Sequence, residues 1–179
     1  MKLRGAAAAK RRLSDMQRQL YEFRRNLGVS QMDTAKLLGV AGRTLRDWEK
    51  CRDSPSQPHL ISWGYAFGHR LALTDEDYDP ELRMSVVLKN DESFVLHETR
   101  RLVVPLWNRR KDRRLSQTDF ARLLGASRGS VQRWEEDGSC QPIVMIAWAQ
   151  RLDFSIELRH VAEKPGLWLG NSRGDCSVA

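Results

Sequence analysis

A twenty-residue stretch occurs twice in this chain, 86 residues apart and without a gap. Residues 30–49 read SQMDTAKLLGVAGRTLRDWE, and residues 116–135 read SQTDFARLLGASRGSVQRWE. Nine of the twenty positions are identical: Ser30/Ser116, Gln31/Gln117, Asp33/Asp119, Ala35/Ala121, Leu37/Leu123, Leu38/Leu124, Gly39/Gly125, Trp48/Trp134 and Glu49/Glu135. Leu45/Val131, Thr44/Ser130 and Lys36/Arg122 keep their chemistry. In a chain of 179 residues, two copies of one unit set the architecture.

Within a copy, Asp33, Thr34 and Lys36 are polar, while Ala35, Leu37 and Leu38 are apolar, which makes a short helix with one buried edge. Gly39 follows, where a helix end favours a residue that tolerates positive φ. A second short helix then runs to about Lys50. Leu45 and Trp48 lie three apart on its inner face, and Arg43, Thr44, Arg46 and Asp47 are left on the other. Trp48 and Trp134 are therefore read as interior anchors, and Glu49 and Glu135 as groups that cap or pair within the fold. Two short helices with a glycine at the turn follow the helix-turn-helix plan, whose second helix enters the DNA major groove.

The pattern S-Q-x-D-x-A-x-L-L-G, a short turn, then L/V-x-x-W-E resembles the lambda-repressor/Cro class of helix-turn-helix proteins, the xenobiotic-response-element type. The resemblance covers roughly 55 to 60 residues in each half. It implies that Gln31 and Gln117 contact a DNA phosphate beside helical N–H groups; a plain N-terminal hydrogen-bonding role is the alternative. Base reading falls to Gly42, Arg43, Thr44, Arg46 and Asp47 in the first copy, and to Arg128, Gly129, Ser130, Gln132 and Arg133 in the second. Arginine fits guanine O6/N7 and glutamine fits adenine, so Arg43, Arg128 and Arg133 are the first choices. The two sets differ, and the chain is expected to read two unlike half-sites.

A formal net charge of +7 and a pI near 9.7 point to a polyanionic partner, double-stranded DNA first among them. Cys51, Cys140 and Cys176 form no CxxC pair, so neither a disulfide framework nor a zinc site is indicated and a reducing, cytoplasmic (nucleoid-associated) setting is expected. No apolar run approaches membrane length, and the apolar stretch near the N-terminus is too short for a signal segment. His59, His69, His97 and His160 are dispersed, no serine has a partner base, and no glycine-rich phosphate loop is present. The chain is read as a non-enzyme with no cofactor and no metal.

Five segments are expected. Residues 1–12 carry Lys10, Arg11 and Arg12, and form either a solubilising tail or an arm on DNA phosphates. Residues 13–74 make the first helix-turn-helix domain. Its first helix begins with Ser14 as cap and carries the stripe Met16, Leu20, Phe23 and Leu27, with Arg24 and Arg25 near its end as phosphate candidates. A further helix over 58–67 and a strand over 69–73 close this domain.

Residues 75–98 are an acidic connector, where a hairpin is placed with strands at 84–88 and 94–97. Residues 99–161 make the second domain, with helix 143–152 and strand 154–160. Its first helix contains Leu102, Leu106 and Trp107, and Pro105 is expected near its start. Arg109, Arg110 and Lys111 follow, as a solvated face or as phosphate contacts. Residues 162–179 are the C-terminal tail.

The expected fold is mainly α with short β: two tandem lambda-repressor-like domains whose equivalent strands, or hairpins, pair across the halves in a pseudo-twofold arrangement. The expected function is sequence-specific DNA binding by a transcriptional repressor that occupies its operator, acting as a monomeric pseudo-dimer, with a homodimer also open. An antitoxin that carries a toxin as protein partner is the alternative, and so is a replication or partition accessory factor of a mobile element.

Overall fold

Alanine decides where the first helix begins. In the computed structural model, which describes residues 3–75 and 93–161, α1 runs Ala6–Asn26 behind Gly5. The sequence places this start at Ser14, but the alanines at 6–9 have the highest helix propensity and extend the helix upstream. Ala9 and Leu13 are buried where α1 crosses onto a helix of the other half. Lys10, Arg11 and Arg12 are thus helical rather than part of an extended arm.

The rest of the first half is α2 (Gln31–Leu37), α3 (Gly42–Glu49), α4 (Gln57–Ala66) and β1 (His69–Thr74). Ser30 caps α2 by accepting from the Asp33 N–H at 3.0 Å. Gly39 takes φ 65 at the corner between α2 and α3. The second half repeats the order: α5 (Phe94–Asp112), α6 (Gln117–Leu124), α7 (Arg128–Asp137), α8 (Pro142–Arg151) and β2 (Ser155–His160). Ser116 caps α6, Ser127 caps α7, and Gly125 takes φ 73 at the corner between them.

Two expectations for α5 are corrected. Residues 94–97 are its first turn, capped by Ser93 through the Leu96 N–H, and not a hairpin strand. The matching strand at 84–88 lies outside the described residues. Pro105 sits inside the helix, where its missing N–H removes one hydrogen bond to the Arg101 carbonyl. Burial of Leu102, Val103 and Leu106 carries the helix through that defect.

The two strands form one antiparallel pair across the halves, as expected. Leu71 lies opposite Leu158, Ala72 opposite Glu157, and Leu73 opposite Ile156. One residue fewer in the second half's loop makes the offset 85 here; Gly68 and Asp153, just before the strands, share positive φ values of 73 and 60. Ala72 and Glu157 therefore hold the same place in the two repeats. The helical packing is reciprocal as well: α1 lies on α8, and α5 lies on α4, the counterpart of α8.

The Arg12 Nε donates to the Ile156 carbonyl at 2.7 Å, and Arg101 donates to the carbonyl of Leu71, the counterpart of Ile156. These arginines occupy backbone acceptors that a further strand would otherwise use.

The buried side chains of both halves form one contiguous cluster rather than two small cores. Met16, Leu60 and Leu71 from the first half and Leu102, Met145 and Ile156 from the second line one small apolar cavity. These are counterparts pair by pair: Met16 with Leu102, Leu60 with Met145, and Leu71 with Ile156.

Candidate functional site

Each helix pair is braced by a buried glutamate. The Arg24 Nε donates to Glu49 Oε1 at 2.5 Å, and its Nη1 donates to the Val29 carbonyl at 2.8 Å. The Gln31 amide donates to Glu49 Oε2 at 2.5 Å. In the second half, Arg110 donates to Glu135 Oε1 at 2.5 Å and to the Leu115 carbonyl at 2.5 Å, and Gln117 donates to Glu135 Oε2 at 2.8 Å. The end of the long helix, the start of the next and the end of the exposed one are fixed together at a single carboxylate.

Glu49 and Glu135 thus pair within the fold. Arg24 and Arg110, both phosphate candidates by sequence, are buried and paired with these carboxylates. The signal was present in the sequence, because Arg24 and Arg110 are identical at the same 86-residue offset. Gln31 and Gln117 stand half-buried at their helix starts with an amide hydrogen turned inward to these glutamates.

The structure gathers the base-reading candidates on one face of α3 and one face of α7. Leu45 and Trp48 are buried beneath α3, and Val131 and Trp134 beneath α7. On the outer side of α3, Arg43 and Arg46 are exposed, and Gly42, Thr44 and Asp47 half-exposed. The Arg43 Nε lies 3.9 Å from Asp47 Oδ2. On α7, Arg128, Gly129, Gln132 and Arg133 are exposed. Ser130 Oγ lies 2.9 Å from Ser127 Oγ, and the Gln132 amide donates to Glu136 at 2.9 Å.

The remaining cations separate by what holds them. Arg109 donates to Asp75 at 2.7 Å and lies 4.4 Å over the Phe154 ring, so it serves the sheet side. Arg12 is committed to β2, and Glu157 Oε1 lies 3.5 Å from its Nη2. Lys10 and Arg11 are exposed on the N-terminal turns of α1. Arg25 and Lys111 are exposed at the ends of α1 and α5, each against an aromatic ring four residues back.

Two carboxylates near this surface have shifted acidity. The Ser116 hydroxyl, helped by Arg122, holds the Asp119 carboxyl below its usual range. Hydrogen bonds from Ser139 do the same for Asp137 at the end of α7. Both stay ionised at neutral pH and limit the positive field over α6 and α7.

Among the described residues no cluster of three or more metal-ligating side chains occurs, and no helix is long and apolar enough to cross a membrane. No protein-family model, curated protein or solved structure matches the chain.

Proposed function

We propose that this chain is a sequence-specific double-stranded DNA-binding transcriptional regulator, a repressor that acts by occupying its operator. In this reading the two halves are tandem lambda-repressor-like helix-turn-helix units. They are related by a pseudo-twofold axis through the Ala72–Glu157 pair, with α3 and α7 as unlike recognition helices. The observation that supports it best is the repeated brace. Two helix pairs of matching build each fix an exposed, arginine-bearing helix through one Arg–Glu–Gln set. An antiparallel relation between equivalent strands turns the two heads in opposite senses, which suits an imperfect inverted repeat.

The test is selection of bound sequences from a random duplex pool by the full chain at about 150 mM salt, where counterion release has weakened nonspecific attraction. Two unlike, inverted half-sites about one helical turn apart are expected. Binding that enriches no sequence and vanishes as salt rises would remove the reading.

A second reading, an antitoxin with a protein partner, draws on one asymmetry. Leu27 and Met32 are 62% and 60% exposed in the first half, where the second half has Arg113 and Thr118. A stable one-to-one complex with a small protein, recovered from the native source and lost in Leu27→Ser/Met32→Ser, would favour it.

A further inference from the structure

The join between the halves is symmetric in its packing and asymmetric in its charge. Among the described residues, three ion pairs run from one half to the other. The Arg12 Nη2 of α1 lies 3.5 Å from Glu157 Oε1 on β2. The Arg70 Nη2 of β1 donates to Glu98 Oε1 of α5 at 2.7 Å, and the Glu98 side chain is 3% exposed. Arg109 of α5 donates to Asp75, just after β1, at 2.7 Å.

The repeat shows that these are three separate inventions rather than one contact used twice. Arg12 holds the place of Glu98, and Phe23 that of Arg109. On the strands Arg70 holds the place of Ser155, Ala72 that of Glu157, and Asp75 that of His160. The pseudo-twofold mates of the three pairs would therefore be Glu98 with Ala72, Ser155 with Arg12, and Phe23 with His160, and none of these is an ion pair. The apolar positions do not discriminate in this way. Leu71, Leu73, Ile156 and Leu158 are all branched aliphatics, so the strand faces would accept a like half as readily as an unlike one.

Charge would not. Two first halves joined in the same manner would set Arg12 of each copy against Arg70 of the other, in the place where Arg70 now meets Glu98. Two second halves would set Glu98 of each copy against Glu157 of the other, and would place two Glu157 side chains directly opposite at the centre of the register. Like charges opposite one another on a sheet are destabilising, and a buried carboxylate such as Glu98 is costly without its cation.

We infer that the face joining the halves is a charge-matched association surface that fits the opposite half and rejects its own kind, with Arg12, Arg70 and Asp75 on the first half answering Glu157, Glu98 and Arg109 on the second. Specificity of this sort comes from repulsion in the wrong pairing as much as from attraction in the right one. The opposite half of the same chain is held at high effective concentration by the connector, so the chain closes on itself. Assemblies of like halves from two chains, which would present two identical exposed helices, are excluded. The inference holds whatever α3 and α7 bind.

The experiment uses two full-length variants, Arg12→Glu/Asp75→Arg and Arg109→Glu/Glu157→Arg. Arg70 and Glu98 are left intact, because Glu98 also holds Arg101 of its own half. Each variant sets two like-charge pairs against its own closure and should melt below wild type. Refolded together from urea in equal amounts, the two should exchange halves into a one-to-one dimer, since both joins then regain opposite charges. Sedimentation should show that dimer, and its melting temperature should return toward wild type. All four substitutions in one chain should give a monomer of near wild-type melting temperature, which shows that the sites accept reversed charge. Variants that melt as wild type, chains that stay separate after refolding together, or a four-substituted chain as unstable as either variant would each overturn the inference.

Discussion

Ala72 lies directly opposite Glu157, and the two occupy the same position of the two repeats. An antiparallel pair can bring equivalent residues face to face only at the centre of its register. Every other pairing is then reciprocal: Leu71 meets Leu158, the counterpart of Leu73, and Leu73 meets Ile156, the counterpart of Leu71. The two units share one core, joined at the sheet and where α1 lies on α8 and α5 on α4.

Shared burial predicts a single unfolding transition. Leu71 is 5% exposed, belongs to the common cluster and lines a small cavity formed by residues of both halves. Leu71→Ala should cost about 2–5 kcal/mol. It should shift the melting of the whole chain rather than of one half. Calorimetry checks this through the ratio of calorimetric to van't Hoff enthalpy, which stays near one if the halves unfold together. Two resolved transitions, one of them unmoved by the substitution, would contradict it.

The Arg24–Glu49 pair makes a prediction about partial against complete removal. The two side chains are 10% and 2% exposed, so losing one leaves an uncompensated buried charge. Arg24→Met alone should destabilise by about 3–5 kcal/mol. Arg24→Met combined with Glu49→Leu should recover much of that, because no ion is then left buried. Urea midpoints of the two variants decide it; equal losses would mean that the brace acts through shape and not through charge.

Glu98 sets an acid limit. Burial alone would raise its carboxyl, but the hydrogen bond from Arg70 and the charges of Arg101 and Arg70 outweigh that and hold it below the usual range. A carboxyl whose folded value is depressed stabilises the fold above its unfolded value. That contribution disappears as pH falls through the folded one. Stability should therefore decline from about pH 5 downward, and Glu98→Gln should flatten the decline while lowering stability at neutral pH. Urea titrations at a series of pH values test both halves of this statement, and a variant with an unchanged acid slope would refute it.

Gly138 ends α7 with φ 70, and a methyl group there would stand 2.2 Å from Thr99 Cγ2. Gly138→Ala meets both the left-handed backbone penalty of about 1–2 kcal/mol and a clash with α5. Adding Thr99→Ala should return the clash component and leave the backbone one. A melting temperature for the double variant no higher than for Gly138→Ala would show that Thr99 is not what the added methyl meets.

What was legible in the sequence divides along physical lines. The repeat, the buried Trp48 and Trp134, the glycine corners and the two strands follow local rules of period and turn chemistry, and they stand where the sequence places them. Ser14 offers a plausible cap, yet alanine propensity carries α1 upstream to Ala6, and the packing of α1 on α8 is invisible locally. The first turn of α5 resembled a strand because Phe94 and Val95 suit either state, until Ser93 caps it. Arg24 and Arg110 look like surface cations in the sequence because charge is normally exposed, and only the tertiary approach of Glu49 and Glu135 buries them. The single core was also hidden, since period shows which face is buried but not what buries it.

The proposed reading of DNA by α3 and α7 gives the last prediction. On α3, Arg43 lies 3.9 Å from the Asp47 carboxylate, whereas α7 carries Arg133 at the position of Asp47 and Arg128 at that of Gly42. An arginine drawn toward a carboxylate must leave it, or share it, to engage a guanine edge, and the acid repels nearby phosphate. The α7 half-site should therefore carry more of the sequence preference. Removing Arg128 or Arg133 should cost about 1–3 kcal/mol at one base pair and relax specificity there, with less effect from Arg43→Ala. Replacing Gly42→Arg, Arg43→Gly, Thr44→Ser, Arg46→Gln and Asp47→Arg together gives α3 the candidate base-reading residues of α7, and the sequence selected by that chain should become a symmetric inverted repeat. Selection of the original unlike pair by this variant would show that α3 does not read bases at all.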